Sequence, residues 1–100
     1  MGKREVIKKL KIFKGLLEGH FDIDQMILFG SYAMGTQKEV SDIDVAIVVN
    51  SIDLDFFDYA PLLWKLRTEV DCRIEPVLLI KDKDQSGFLQ EITSTGLIIK

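Results

Sequence analysis

The sequence predicts an α/β or α+β domain in which helices cover one β-sheet. Stretches with apolar residues at helical spacing alternate with short runs of Val, Ile and Leu, in the order helix–strand–helix–strand–helix–strand–helix. The chain of 100 residues is 47% hydrophobic and 29% charged, which is typical of a small globular protein. We therefore expect residues 1–100 to form a single domain with one core.

The first part of the chain predicts a long helix, a strand and a short helix. Between Arg4 and Leu17 the apolar residues form one stripe of an amphipathic helix, and Gly19 is well placed to end it. The members of that stripe are Val6, Ile7, Leu10, Phe13, Leu16 and Leu17. The apolar run Gln25–Phe29 predicts a strand, and Tyr32–Met34 predicts one turn of helix.

The middle of the chain predicts two further strands separated by a helix. Asp42–Val49 is rich in Val and Ile and predicts a buried strand that starts with acidic residues. Pro61 suits the first turn of the helix, and Cys72–Ile80 predicts the next strand. The apolar stripe of this helix consists of Leu62, Leu63, Leu66 and Val70.

The last twenty residues predict a charged loop, a helix and an edge strand. Lys81–Gln85 is the loop. Ser86 is expected to cap a helix that runs through Thr95, and Gly96 is expected to stop it. The apolar tail Leu97–Ile99 predicts a short strand at an edge of the sheet.

Composition excludes several classes of protein. The net charge of −3 and the pI of about 5.1 argue against binding of duplex nucleic acid, which needs clustered Lys and Arg. The apolar runs are far shorter than the roughly 20 residues of a membrane span, and the N-terminus lacks the apolar region of a signal peptide. Cys72 is the single cysteine, as is typical of a reducing compartment. We expect a soluble, cytoplasmic protein.

Two carboxylates at the start of the second predicted strand carry the clearest chemical signal. Side chains at positions i and i+2 of a strand share one face, so Asp42 and Asp44 are expected to lie side by side, about 7 Å apart. Adjacent carboxylates in an apolar strand repel each other and are costly to desolvate. A bound Mg²⁺ would resolve this conflict, because Mg²⁺ prefers one or two carboxylates together with phosphates and water.

The turn before these acids suits a phosphate. Gly30 follows a predicted strand, and a glycine there lets a phosphate approach the backbone closely. Ser31 adds a hydroxyl donor at the start of a short helix, whose first N–H groups point at an anion. The turn is expected to bind a triphosphate while the two aspartates hold its metal ion.

The joint spacing resembles a known superfamily. Gly30-Ser31, ten intervening residues and then Asp42-Ile43-Asp44 form the signature of the DNA polymerase β-like nucleotidyltransferases. The flanking residues Ala33, Gly35, Thr36 and Ser41 are similar to those of the minimal nucleotidyltransferase (MNT) domains of bacteria and archaea. The resemblance implies a nucleotidyltransferase fold of the α/β (α+β) class, with a small mixed β-sheet flanked by helices.

The resemblance also implies a third carboxylate on a neighbouring strand. In the superfamily this group helps to hold metal and takes the proton from the attacking hydroxyl. Glu75 and Asp71 are both open candidates, and we favour Glu75 because the apolar residues that follow it match those that follow Asp44. The implied catalytic and metal-binding set is therefore Asp42, Asp44 and Glu75.

The implied activity is Mg²⁺-dependent transfer of AMP from ATP to a hydroxyl on a partner protein. MNT domains resemble one half of a toxin–antitoxin pair, whose other half is an all-helical HEPN (higher eukaryotes and prokaryotes nucleotide-binding) protein. Because no acceptor domain is visible in the chain, we expect the acceptor to be bound by another chain or by a homodimer. A non-catalytic antitoxin and a transferase for an aminoglycoside-type small molecule remain alternatives. Lys38, Arg67 and Arg73 are the candidate cations for the triphosphate, and the sequence does not choose among them.

Overall fold

The computed structural model describes residues 1–53, 55–83 and 86–100, apart from the side chain of Phe56. These residues form helices and strands that alternate along the chain, as the sequence predicts. The elements are α1 (Lys3–Leu17), β1 (Ile23–Phe29), α2 (Ser31–Met34), β2 (Ile43–Val49), α3 (Phe56–Thr68), β3 (Ile74–Ile80), α4 (Phe88–Thr95) and β4 (Leu97–Ile99).

The strands form one mixed sheet in the order β3-β2-β1-β4. β1 is antiparallel to both β2 and β4, whereas β2 and β3 are parallel. Parallel neighbours need a crossover connection, and α3 supplies it. The predicted α+β class, with a small mixed sheet flanked by helices, is confirmed, and β4 lies at an edge as expected.

Each face of the sheet packs against a different set of helices, because side chains alternate between the faces along every strand. The larger cluster joins one face to α1, α2 and α3, through residues such as Phe13, Tyr32 and Leu66. The smaller cluster joins the other face to α4 and contains Ile27, Ala46, Val48 and Ile92.

Helix α1 largely follows its predicted stripe. Val6, Leu10, Phe13 and Leu17 are fully buried, so the spacing of three and four residues faces the sheet. Leu16 is 36% exposed, and its predicted place in the buried stripe is wrong. Its position lies beside the stripe formed by the buried residues of α1.

Two predicted boundaries are wrong for identifiable reasons. Strand β3 begins at Ile74, two residues later than predicted, because Asp71 organises a turn: its carboxylate accepts the N–H of Arg73 at 2.9 Å and its carbonyl accepts the N–H of Ile74 at 3.1 Å. Helix α3 begins at Phe56, upstream of Pro61. Asp55 is the N-cap of this helix, and its carbonyl oxygen accepts hydrogen bonds from the backbone N–H groups of Asp58 and Tyr59.

The C-terminal elements agree with the sequence apart from the start of α4. That helix begins at Phe88, after Gly87 in the left-handed conformation (φ +77°), and the Ser86 hydroxyl accepts the Phe88 N–H at 3.4 Å. Gly96 ends α4, and a Cβ there would lie 2.7 Å from the carbonyl oxygen of Leu28. Asp84 and Gln85 of the predicted loop lie outside the described residues. Among the helices that are described, none has the length and apolar character needed to span a membrane.

One buried carboxylate fastens α1 to the start of β3. The Asp71 side chain is 8% exposed, and its Oδ2 atom lies 2.7 Å from Lys9 Nζ and 3.0 Å from Arg73 Nη2. The hydrogen bonds from the Arg73 side chain, aided by Lys9, hold the pKa of the Asp71 carboxyl far below its usual range despite the opposing effect of burial. Asp71 is therefore a structural ion-pair residue.

Replacing Asp71 with asparagine is expected to lower the free energy of unfolding at pH 7 by about 2 kcal/mol, because charge-assisted hydrogen bonds are lost. A carboxyl with a lowered folded-state pKa stabilises the protein above its unfolded pKa of about 3.9, and this contribution is lost as the pH falls below that value. Urea unfolding at pH 7 and pH 3 should show a smaller difference between wild type and variant at pH 3.

The matched control for this experiment is Asp82→Asn, since Asp82 is exposed in the turn after β3. It should change the free energy of unfolding by less than about 0.5 kcal/mol at either pH. If Asp71→Asn lowered the free energy of unfolding by the same amount at both pH values, the lowered pKa of Asp71 would not contribute to stability as expected.

Candidate active site

The strand ends bring the predicted acids to one end of the sheet. β1 ends there at Phe29, whereas β2 and β3 begin there, and the register pairs Phe29 with Asp44 and Asp44 with Glu75. Paired residues of neighbouring strands share a face and lie about 5 Å apart. Asp44 thus lies between Phe29 and Glu75, on the face that packs against α4.

Asp42 completes a group of three carboxylates, which we call the acidic group: Asp42, Asp44 and Glu75. Asp42 is exposed just before β2, and Asp44 is half-buried. Burial raises the pKa of the Asp44 carboxyl, and the negative charges of Asp42 and Glu75 raise it further. The repulsion and desolvation that the sequence predicts for neighbouring acids are therefore present at Asp44.

The chemistry of this donor set fits a divalent cation that arrives with a nucleotide. Among the residues that the structure describes, no three His, Cys, Asp or Glu side chains are arranged to hold a metal ion by themselves. Mg²⁺ does not require such a cage, because it commonly takes one or two protein carboxylates and completes its shell with substrate phosphates and water. A cation at this place would offset the repulsion around Asp44.

Gly30 packs directly against the acidic group. Its φ of +74° is a conformation that favours glycine, and a Cβ at this position would collide with the Asp44 carboxylate, with the Cγ atom only 3.2 Å away. Only a residue without a side chain lets the end of β1 pass so close to Asp44. The bend and the acidic group are therefore contiguous, as the spacing of the motif predicts.

Ser31 begins α2 beside this bend. The turn is closed by backbone hydrogen bonds from Met34 N–H to Gly30 O (3.1 Å) and from Thr36 N–H to Ser31 O (3.0 Å), and Gly35 ends the helix in the left-handed conformation. The Ser31 side chain is half-buried, and no hydrogen bond of its hydroxyl to another described residue is found. It is available to donate to a ligand at the bend.

The structure separates the two candidates for the third carboxylate. Glu75 is the strand neighbour of Asp44, whereas Asp71 lies in the turn before β3 and is held by Lys9 and Arg73. The candidate cations are separated in the same way. Arg73 belongs to the Asp71 ion pair, Arg67 lies 3.7 Å from Glu75, and exposed Lys38 has no ion pair among the described residues.

Two residues make contacts at this end of the sheet that the sequence analysis did not predict. Phe29 shares the face of the acids, its ring lies edge-to-face on Phe88 of α4 at 5.5 Å, and it is one source of the apolar surroundings of Asp44. Ser41 accepts the backbone N–H of Lys38 at 2.7 Å and closes the turn that leads to Asp42. The strand parity of Phe29 and the three-residue spacing from Lys38 to Ser41 are signals that could have identified both.

Comparison with known proteins identifies the family. Residues 11–100 match the family model for "Polymerase beta, Nucleotidyltransferase". A protein of Methanocaldococcus jannaschii named a "putative protein adenylyltransferase" is 31% identical over 96 residues, which cover 92% of this chain and 95% of the relative. The chain therefore belongs to the polymerase β-type nucleotidyltransferase family. The resemblance and the enzyme class predicted from the Gly-Ser and Asp-x-Asp motif are confirmed.

Solved structures share the fold. A protein of Sulfolobus solfataricus that is 18% identical superposes with a TM-score of 0.71, over 96% of this chain and 80% of that chain, and shows the fold alone. A chain from a mutant of the toxin–antitoxin MntA–HpeT is 26% identical, with a TM-score of 0.64 over 92% of this chain and 72% of its own length. A chain from a toxin–antitoxin crystallised with AMP-PNP is 25% identical, with a TM-score of 0.64 over 100% and 73%.

Replacing Asp44 with asparagine is expected to raise the Tm of the metal-free protein at pH 7 by about 2–4 °C, equivalent to about 0.5 kcal/mol for a domain of this size. A carboxyl with a raised folded-state pKa stabilises the fold when protonated, and that contribution is lost as the pH rises through the folded pKa. At pH 7 the ionised group is therefore unfavourable, and the neutral amide relieves it.

Thermal denaturation in the presence of a chelator measures this effect at pH 7 and at pH 4, where the gap should narrow. Asp22→Asn is the control, because Asp22 is exposed at the opposite end of β1. Its Tm should stay within about 1 °C of wild type. A lower Tm for Asp44→Asn than for wild type at pH 7 would show that the Asp44 charge is not unfavourable in the folded protein.

Proposed function

We propose that this protein transfers AMP from ATP to a hydroxyl group on a partner protein, with Mg²⁺ held by the acidic group. The observation that carries the proposal is the position of Asp44: it is half-buried, flanked by two further carboxylates and in contact with the Gly30 bend. Such a group binds a cation and a polyphosphate at one place. Family membership and the AMP-PNP complex of a similar chain support a nucleotide as the ligand.

Each residue of the site has a distinct role in this proposal. Asp42, Asp44 and Glu75 would hold the metal, which when bound neutralises negative charge on the triphosphate. The oxygen of the acceptor hydroxyl forms a bond to the α-phosphorus while the bond from that phosphorus to pyrophosphate breaks. Glu75 accepts the proton that the hydroxyl loses. Ser31 donates its hydroxyl hydrogen to a triphosphate oxygen at the bend.

The proposed acceptor is a helical HEPN-type toxin, with this chain acting as its antitoxin. Similarity to chains of toxin–antitoxin complexes supports this partner, and the name of the M. jannaschii relative supports a protein as acceptor. The exposed, unpaired thiol of Cys72 supports the reducing cytoplasm as the place of action. A non-catalytic antitoxin with the same fold is the competing proposal.

Incubation with ATP labelled on the α-phosphate, Mg²⁺ and a HEPN-type partner tests the proposal. Label on the partner, retained after denaturation, is the expected result. Binding of the partner without label would favour the non-catalytic antitoxin. Label on an added aminoglycoside but not on the partner would favour the small-molecule transferase.

Replacing Asp42 with asparagine should reduce the rate of AMP transfer at least about a hundredfold, because one of the charges that holds the metal is lost. Asp42 is exposed, so the fold should be retained, which circular dichroism checks. Asp22→Asn removes the same charge at the opposite end of the sheet and should transfer AMP at the wild-type rate. A wild-type rate for Asp42→Asn would remove Asp42 from the site.

Replacing Ser31 with alanine should raise the KM for ATP about tenfold and leave kcat within about twofold, because a hydrogen bond to a charged oxygen is lost in both ground and transition states. Steady-state kinetics with varied ATP at saturating Mg²⁺ measures both parameters. Ser51→Ala, an exposed serine just after β2, is the control. An unchanged KM would mean that Ser31 serves only the turn.

A further inference from the structure

Arg67 reaches the acidic group from the opposite side of β3. It belongs to α3, yet its Nη1 atom donates to the carbonyl oxygens of Cys72 and Ile74, both at 2.9 Å. Its guanidinium carbon lies 3.9 Å from the ring centre of Trp64, one turn earlier in α3. Arg67 therefore wraps around the edge of the sheet with its charge directed along the start of β3.

The free edge of β3 explains why these carbonyls are available. β3 is an edge strand, and its neighbour β2 takes the carbonyl of Arg73 through the N–H of Ile43 at 2.9 Å. Because carbonyls alternate in direction along a strand, the carbonyl of Ile74 points away from β2. Arg67 satisfies this outward group, which no strand covers in the described part of the chain.

Glu75 lies between this cation and the other acids. Its Oε1 atom is 3.7 Å from Arg67 Nη1, longer than a hydrogen bond, and its side chain is 42% exposed. Within the described residues, Arg67 is the one cation in ion-pair distance of Glu75. On the other side, Asp44 and Glu75 repel each other.

The two partners differ in how firmly they are held. Arg67 has two carbonyl acceptors and a stacked ring, all independent of Glu75. Glu75 has no hydrogen bond to another described side chain, and its contact with Arg67 is long. Glu75 can therefore turn toward a cation at Asp44 while Arg67 stays in place.

We propose that Arg67 is the resident counter-ion of Glu75 and competes with the divalent cation for it. In the absence of the cation, Arg67 offsets the charge of Glu75 at the edge of the sheet. When the cation binds, Glu75 exchanges one positive partner for another. Arg67 then lowers the affinity of the acidic group for the cation. The inference rests on the proposed function only in placing Glu75 among the metal-binding residues.

Titration with Mn²⁺, followed by the electron paramagnetic resonance signal of the free ion, tests the proposal without any transfer reaction. The titration is performed with and without a non-hydrolysable ATP analogue. Arg67→Met and Arg67→Gln should each bind Mn²⁺ about fivefold more tightly than wild type, as expected for loss of a partly exposed ion pair. The glutamine side chain can still donate hydrogen bonds to the carbonyl oxygens of Cys72 and Ile74. Arg67→Gln therefore replaces Arg67→Met in the test if the methionine variant is poorly folded.

Two controls distinguish competition of Arg67 for Glu75 from a general effect of removing a positive charge. Lys65→Met removes an equal charge from an exposed site on α3 and should leave Mn²⁺ affinity within about twofold. In a Glu75→Gln background, Arg67→Met should no longer tighten binding, because its target carboxylate is gone. Unchanged or weaker binding in folded Arg67 variants, or an equal gain without Glu75, would overturn the proposal.

The outcome for Asp44→Asn distinguishes failure of this inference from failure of the proposed function. If Asp44→Asn weakens Mn²⁺ binding but the Arg67 variants do not tighten it, only the role of Arg67 is wrong. If Asp44→Asn leaves binding unchanged, or if wild type binds no Mn²⁺ with or without the analogue, both proposals fail.

Discussion

The organisation of this protein depends on unfavourable electrostatics at one point, the carboxylate of Asp44. The chain places this charge at the end of a buried strand, next to Phe29 and between two other acids. Because Gly30 has no side chain, the backbone bend at Gly30 contacts the Asp44 carboxylate without a steric clash. In the proposed function, a cation bound at Asp44 would offset the repulsion between the acids. The space that a Cβ of Gly30 would need is taken by the Asp44 carboxylate, so the bend and the acid lie in direct contact.

The acids at the start of β2 and β3 show how surroundings decide the role of a carboxylate. Asp71 and Glu75 are four residues apart, but they lie in opposite environments. Asp71 is nearly buried and has two cationic partners, so its charge stabilises the junction of α1 with β3. Glu75 is 42% exposed and has one long ion pair among the described residues, with Arg67 at 3.7 Å. The fold thus separates Asp71, which stabilises the structure, from the acids to which we assign the proposed chemistry.

The mixed sheet makes this separation possible. Parallel pairing starts β2 and β3 at the same end, and antiparallel pairing ends β1 there, so three chain segments deliver functional groups to one place. The helices α1 and α3 pack on one face, and α4 packs on the other, where Phe88 contacts Phe29. The acidic group lies on that second face, at the end where β2 and β3 begin. The fold shared with other polymerase β-type nucleotidyltransferases is therefore directly tied to the position of the site.

The sequence by itself determined the order of the elements, the fold class and the Gly30, Ser31, Asp42 and Asp44 motif, because hydrophobic period and local spacing act over a few residues. It did not locate the start of β3, because the turn that Asp71 makes with the N–H groups of Arg73 and Ile74 leaves no mark in the hydrophobic pattern. It left Glu75 and Asp71 as alternatives, because the ion pair that occupies Asp71 includes Lys9, 62 positions away in the chain. The strand register and the ion pairs made by α1 and α3 give Asp71 and Glu75 their different environments. The register and these ion pairs depend on the tertiary structure. The role of Arg67 likewise became visible only when the edge of the sheet was in place.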